Sequence, residues 1–272
     1  MPQIINTNIA SLTAQRNLNS SQSTLSSALN RLSSGLRVNS AKDDAAGIAI
    51  ATRLEAQSRG MSVAIRNAND ALSFLQTAEG GISKITESLN RMRELSVQAA
   101  NGTYTASDRA NLQAEFGQLS SEIARVAAQT EFNGLQMFNG SGSQTFQVGA
   151  NTGQTIDVSI DNLTAGSFTL SSGDIGTASG ATNAITSIDN ALDAVNTLRA
   201  KIGGSQSRFE SVVSQLQIAR ENQEASRSRI MDADFAEETA RLTRAQILQQ
   251  AGTAMLAQAN ALPNNVLSLL RS

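Results

Sequence analysis

The sequence predicts a mainly α fold: a long antiparallel helical bundle or coiled coil, a small β-hairpin region at one end, and terminal helices pairing as a coiled coil at the other. Three observations predict it. Apolar residues recur at three- and four-residue spacing in several segments, the seam pattern of packed helices. Hydrophobic residues make up 40% of the 272-residue chain but aromatics only 3%. An interior built from Ala, Leu and Ile suits helices lying close together. One stretch, 131–180, loses the helical period and gains turn dipeptides and strict alternation instead.

The elements follow in order. Leu18, Leu25 and Leu32 recur at sevens, Leu29 and Leu36 form a second row, and Ile5, Ile9 and Leu12 extend the pattern toward the start. Thr7 or Asn8 is placed to cap this helix and Gly35 to end it. Ser40 and Asp43 read as a capping box that opens a helix over 41–100. Its two rows are Ala68, Leu75, Ile82, Leu89 and Ala71, Ala78, Ile85, Met92, Ala99. Gly80 and Gly81 interrupt it, each costing about 1 kcal/mol against Ala. ANGTYTASD is a loop, and Thr105 with Asp108 forms another capping box before a helix over 107–130. That helix carries Leu112, Phe116, Leu119, Ile123 and Val126.

In the β region, Asn133-Gly134, Asn139-Gly140 and Gly153 are turn signals. Phe146 and Val148 alternate with polar residues, as do Ile156, Val158 and Ile160, then Phe168 and Leu170. The heptads return over 183–228 with Ile188, Val195, Ile202, Phe209 and Leu216. The last segment spaces Leu248, Ala251, Met255, Ala259, Leu262, Val266 and Leu269 by three or four, with Pro263 placed to kink it or start a fresh turn.

These elements divide into an inner coiled-coil domain from both termini, 1–39 plus 232–272, and an outer core domain, 40–231. Two isolated terminal helices bury too little to be stable alone. Their missing partners are therefore expected to be the same termini of other copies. The assembly seam is assigned to Ile5, Ile9, Leu12, Leu18, Leu25, Leu32, Leu248, Met255, Leu262, Val266 and Leu269. Arg91, Leu95 and Gln98 form a stripe off the Leu89/Met92 seam. Leu95 is not needed there for an intramolecular core, so the stripe reads as a lateral contact.

Composition excludes several classes. His and Cys are both absent, which removes the usual neutral-pH base, the thiolate nucleophile and the commonest transition-metal ligands. No enzyme, cofactor or metal site is expected. Net charge is −2, with no basic block for nucleic acid and no apolar run long enough for membrane insertion. The N-terminus has neither the basic nor the apolar segment of a cleaved secretion signal. Lys42, Asp43 and Asp44 are first-turn charges. Glu237 and Glu238 point apart on a helix and read as a solvated face. Asp157, Ser159 and Asp161 read as a solvated strand face that lacks the calcium-loop pattern. GSGSQTF lacks the Lys-Ser/Thr of a phosphate loop.

The stretches IINTNIASL, LNRLSSGLRVNSAKDDAAGIAIA, RNANDALSFLQTAEG, LNRMRELSVQAANGT, TEFNGLQMF, SRIMDADFAEETARLTRAQILQQAGTAMLAQAN and PNNVLSLLRS resemble bacterial flagellins, in the family's order. They cover roughly the first 140 and last 90 residues, with little outer-domain insert between. The resemblance implies a subunit that polymerises with itself into an extracellular flagellar filament for swimming. It implies termini that fold on assembly and export, unfolded, by the flagellar type III machinery with a chaperone. Filament cap and junction proteins follow as further partners. It also implies that Arg91, Leu95 and Gln98, with Glu115 on the next helix, form a surface for Toll-like receptor 5; Asn90 stands where the family often has Gln. The rival readings are a hook–filament junction protein, which shares such terminal helices, and a chemoreceptor hairpin, which would need membrane spans.

Overall fold

A computed structural model describes residues 7–138, 143–163 and 173–271, with side chains as far as residue 261. Among the described residues there are five helices: α1 (Ile9–Ser34), α2 (Ala45–Ala100), α3 (Ala106–Gln129), α4 (Ala178–Met231) and α5 (Phe235–Arg271). The strands are β1 (Glu131–Phe132), β2 (Leu135–Gln136), β3 (Ser143–Gln147) and β4 (Thr155–Ser159). The chain forms two compact units, one from Met1–Ala56 with Asn222–Ser272, the other from Gln57–Glu221.

Local chemistry sets the helix ends. Asn8 caps α1, its side chain accepting from the Ser11 N–H at 3.0 Å. Gly35 ends α1 in the left-handed region at φ 71°, where a residue without Cβ carries no steric penalty. Only half of the Ser40–Asp43 box forms, in a turn ahead of the helix, because the Asp43 N–H donates to the Ser40 carbonyl and not to its hydroxyl. Asp43 Oδ2 accepts from the backbone N–H of Ser40 at 2.9 Å and of Asn39 at 3.2 Å. Asp44 caps α2 instead, accepting from the Gly47 N–H at 2.7 Å. Asp44 wins because its carboxylate is in register with the first free N–H groups of the helix. At α3 the reciprocal Thr105–Asp108 box is complete. α5 runs through Pro263 as one helix.

In the larger unit, α2, α3 and α4 share one core. The ion pairs Glu79–Arg199 and Arg93–Asp189 show α4 running antiparallel to α2. Arg91–Glu115 and the Arg109 bond to the Ala99 carbonyl show the same for α3 against α2. Both predicted rows of α2 from Ala68 to Ala99 are buried, as are Phe116 and Ile123 on α3 and Ile188, Val195, Ile202 and Phe209 on α4. Gly80 and Gly81 do not interrupt α2. A Cβ on Gly81 would lie 2.8 Å from Phe138 Cε2 and 2.9 Å from Thr130 Oγ1, so its bareness admits the β1–β2 segment.

Among the described residues, the β region holds two antiparallel hairpins. Asn133 and Gly134 have φ of 51° and 77°, the paired positive values of a two-residue turn that matches strand twist. On β4 and just beyond it, Ile156, Val158 and Ile160 point into the core and Asp157 and Ser159 out. The few aromatics are concentrated here. Phe74 meets Phe132 and Phe146 at centroid distances of 5.8 and 5.7 Å, and Phe146 meets Phe209 at 5.8 Å. This chain of rings joins α2, both hairpins and α4. The predicted Phe168 and Leu170 lie outside the described residues.

Candidate assembly surfaces

In the terminal unit α1 packs along α5. Asn8 Nδ2 donates to the Ala259 carbonyl at 2.7 Å, and Ser11 Oγ to Asn260 Oδ1 at 2.7 Å. A Cβ on Gly252 would sit 3.2 Å from Leu18 Cδ1. At the other end Arg31 meets Glu238 at 3.2 Å, and Leu36 bridges to Asp232. Leu18, Leu25 and Leu32 are half-buried on one face of α1.

The α5 face turned to α1 mixes two leucines with small and polar residues. Ala245 and Ala259 are buried, and Leu242, Gln249, Gly252 and Leu256 are half-buried. The row read from the sequence through its largest apolar side chains lies elsewhere: Leu248 is 50% exposed and Met255 64%. Ala245, Gly252 and Ala259 let the axes approach between Leu242 and Leu256, and Leu248 and Met255 fall outside that contact. Ile9 and Leu12 on α1 are likewise exposed. Ile5 and the side chains of Leu262, Val266 and Leu269 lie outside the described residues.

Two readings of polar and apolar stripes need correction. Leu95 is fully enclosed in the core rather than displayed on the surface. α2 touches partners on two sides, so its buried face is wider than one seam. The exposed part of that stripe is ionic. Arg91 bonds Glu94 at 2.9 Å and Glu115 at 2.8 Å, which raises its guanidinium pKa, the Glu115 bond first. Gln98 Nε2 donates to the Tyr104 hydroxyl at 2.8 Å, and Val97 lies exposed beside it. The second correction is Glu238. It is no solvated face but a buried carboxylate, bonded to Arg31 and, at 3.3 Å, to Arg241.

Gln113 carries a role without a sequence signal. It clamps the 173–175 segment, donating to the Gly173 carbonyl at 3.3 Å and accepting from the Ile175 N–H at 2.7 Å. Only the fold brings partners sixty residues apart together.

Among the described residues, no group of His, Cys, Asp and Glu side chains could hold a metal, and no helix is long and apolar enough to cross a membrane. The accessible chemistry is that of contact: exposed apolar rows on a terminal helix pair, and an ionic patch on a rigid helical core. Such surfaces are those of a structural, helix-packing protein, and the family it belongs to agrees. Residues 5–145 match the bacterial flagellin N-terminal helical region and residues 185–270 the flagellin C-terminal helical region. The chain belongs to the bacterial flagellin family. It is 41% identical to the flagellar filament 33 kDa core protein of Treponema phagedenis and 40% identical to a flagellin of Treponema pallidum, each over 98% of this chain and 100% of the relative. The crystal structure of a Bacillus cereus flagellin, 30% identical, superposes with a TM-score of 0.51 over 56% of this chain and 88% of that one.

Proposed function

We propose that the chain polymerises, copy on copy, into an extracellular flagellar filament, with residues 1–39 and 232–272 as the inner layer and 40–231 as the layer around it. One observation carries the reading. Among the described residues, seven of the twelve exposed large hydrophobic side chains lie in the proposed inner layer: Ile9, Leu12, Leu29, Phe235, Ile247, Leu248 and Met255. Covering the exposed remainder of each contributes about half of the roughly 1.5–3 kcal/mol of a full burial. A heterologous contact repeated by a screw operation covers them all and generates an open filament. Ile5, Leu262, Val266 and Leu269 extend the same rows in the sequence pattern. Arg91, Gln98 and Glu115 supply a polar lateral contact, and the same patch is the surface offered to Toll-like receptor 5. Family membership supports export by the flagellar type III machinery with a chaperone, and growth between junction proteins and a cap.

Met255→Asp tests the reading by electron microscopy after seeding with short filament fragments. The variant subunit is expected to unfold at the same urea concentration as wild type but to add no length to seeds. Normal filaments from it would overturn the seam. Wild-type subunits that cap seeds without lengthening them would move the reading to a hook–filament junction protein.

A further inference from the structure

A coiled coil of repeated leucines has a register problem. On α1, Leu18, Leu25 and Leu32 are the same residue at the same spacing. The facing α5 row is small and soft, with Leu242 and Leu256 around Gln249 and Gly252. Sliding one helix by seven residues puts Leu where Leu stood, and apolar burial changes little. Apolar packing alone leaves such a pair poorly specified, and a single buried polar contact is the known physical remedy.

Among the described residues of the terminal unit, one charged side chain is buried, Glu238; the polar contacts at the far end, from Asn8 to the Ala259 carbonyl and from Ser11 to Asn260, are neutral and part-buried or exposed. The Glu238 side chain is 6% exposed, between Arg31 at 3.2 Å and Arg241 at 3.3 Å. Arg241 belongs to the same helix and travels with it. Arg31 is the partner that must be met. A heptad slip brings Thr24 or Val38 to its place, and neither carries a charge. The other cations of the first 42 residues are Arg16, Arg37 and Lys42, none of them seven or fourteen residues from Arg31. A slipped pair therefore buries a carboxylate deprived of its cross-helix cation, a large penalty in a low-dielectric site. The same end is reinforced by backbone bonds from Arg37 N to Met231 O at 2.7 Å and from Ala233 N to Gly35 O at 2.9 Å.

We propose that Glu238 is the register pin of the terminal helix pair. Closing on Arg31, it selects the single alignment in which Leu18 faces Gly252. It thereby sets which outward residues of α1 stand beside Leu248 and Met255. The proposal concerns the subunit and stands whether or not copies polymerise.

The chain has no cysteine, so disulfide mapping is clean. In the full-length chain, Leu18→Cys with Gly252→Cys reports the native register. Leu25→Cys or Ser11→Cys with Gly252→Cys reports a slip in either direction. The native cross-link is expected to exceed both slipped ones at least about tenfold. In an Arg31→Leu/Glu238→Leu background the ratio is expected to fall within about threefold, with helix content by circular dichroism undiminished, because an apolar pair packs as well but specifies nothing. Glu238→Gln, which keeps hydrogen bonding and loses charge, should fall between. The proposal is overturned if the Leu/Leu background keeps the native preference. It also fails if wild type shows no preference, or if Leu/Leu loses helix and all cross-links together, since the pair then stabilises without specifying.

Discussion

The two units of this chain answer the same physical problem differently. In the unit formed by 57–221, Phe116, Phe138, Phe209, Leu75, Ile82, Leu89 and Ile123 are fully enclosed by the unit itself. In the terminal unit, the described hydrophobic residues that reach burial are Ala28, Val38, Ala51, Ala245 and Ala259, with no Leu, Ile, Met or Phe among them. Six of the eight phenylalanines, at 74, 116, 132, 138, 146 and 209, serve the first unit; Phe235 in the terminal unit is 58% exposed. One unit stabilises itself by covering its own large side chains. The other leaves them exposed. The same composition of helix-forming residues thus produces a self-sufficient core in one unit and a thinly covered helix pair in the other.

The largest effect should come from truncating one large side chain in each unit. Phe209→Ala opens a cavity beside the Phe74–Phe146 rings and is expected to destabilise the subunit by about 3–5 kcal/mol. Met255→Ala removes a side chain mostly in water and should stay within about 0.5 kcal/mol. Urea unfolding of both full-length variants measures this. Equal losses would erase the distinction between the units.

A single glycine substitution sharpens the comparison further, because it should change sign. A Cβ on Gly60 would lie 2.8 Å from Ala150 Cβ and 3.3 Å from its Cα, where the β3–β4 turn presses backbone against α2. Gly60→Ala is expected to cost about 1–3 kcal/mol through overpacking. At Gly252 the nearest atom is the flexible end of half-buried Leu18. There the helix propensity of Ala should prevail, stabilising α5 by up to about 1 kcal/mol. Thermal unfolding followed by circular dichroism reads both; a loss at Gly252 would mean that the terminal pair is packed as tightly as the core.

The same contrast explains what was legible in the sequence. The α2 and α4 seams could be read residue by residue, because large side chains at a regular period face a core made by the same chain. The β4 alternation and the Asn133-Gly134 turn were equally plain, since a period of two and a positive φ leave direct marks. On α5 the sequence period through Leu248 and Met255 marks a row that stays exposed in the subunit, whereas the contact with α1 runs through Leu242, Ala245, Gln249, Gly252, Leu256 and Ala259, a row whose small members carry little hydrophobic signal. Leu95 was misplaced because a helix with partners on two sides buries more than one row. Glu238 and Gln113 have partners far away in sequence, and no local pattern announces a bond across two hundred or sixty residues.

The smallest expected effect separates two helix caps by their response to acid. α1 begins on the neutral amide of Asn8, whereas α3 begins on the Thr105–Asp108 box. The Thr105 hydroxyl bond, then the Thr105 backbone N–H, hold the Asp108 carboxyl below its ordinary value of 3.8. A carboxyl whose pKa is lower folded than unfolded contributes stability that is fully present above the ordinary value and lost as pH falls through the folded one. The start of α3 should therefore fray below pH 3.8, while the Asn8 cap, with nothing to protonate, should not change over the same range. Amide exchange at residues 106–109 and 9–12, followed from pH 5 to pH 2.5 and corrected for intrinsic rates, resolves the two ends. In Asp108→Asn the acid response at α3 should vanish, leaving a slightly weaker cap at every pH. If that variant still frays in acid, the transition belongs to the surrounding bundle, and the box contributes nothing that titrates.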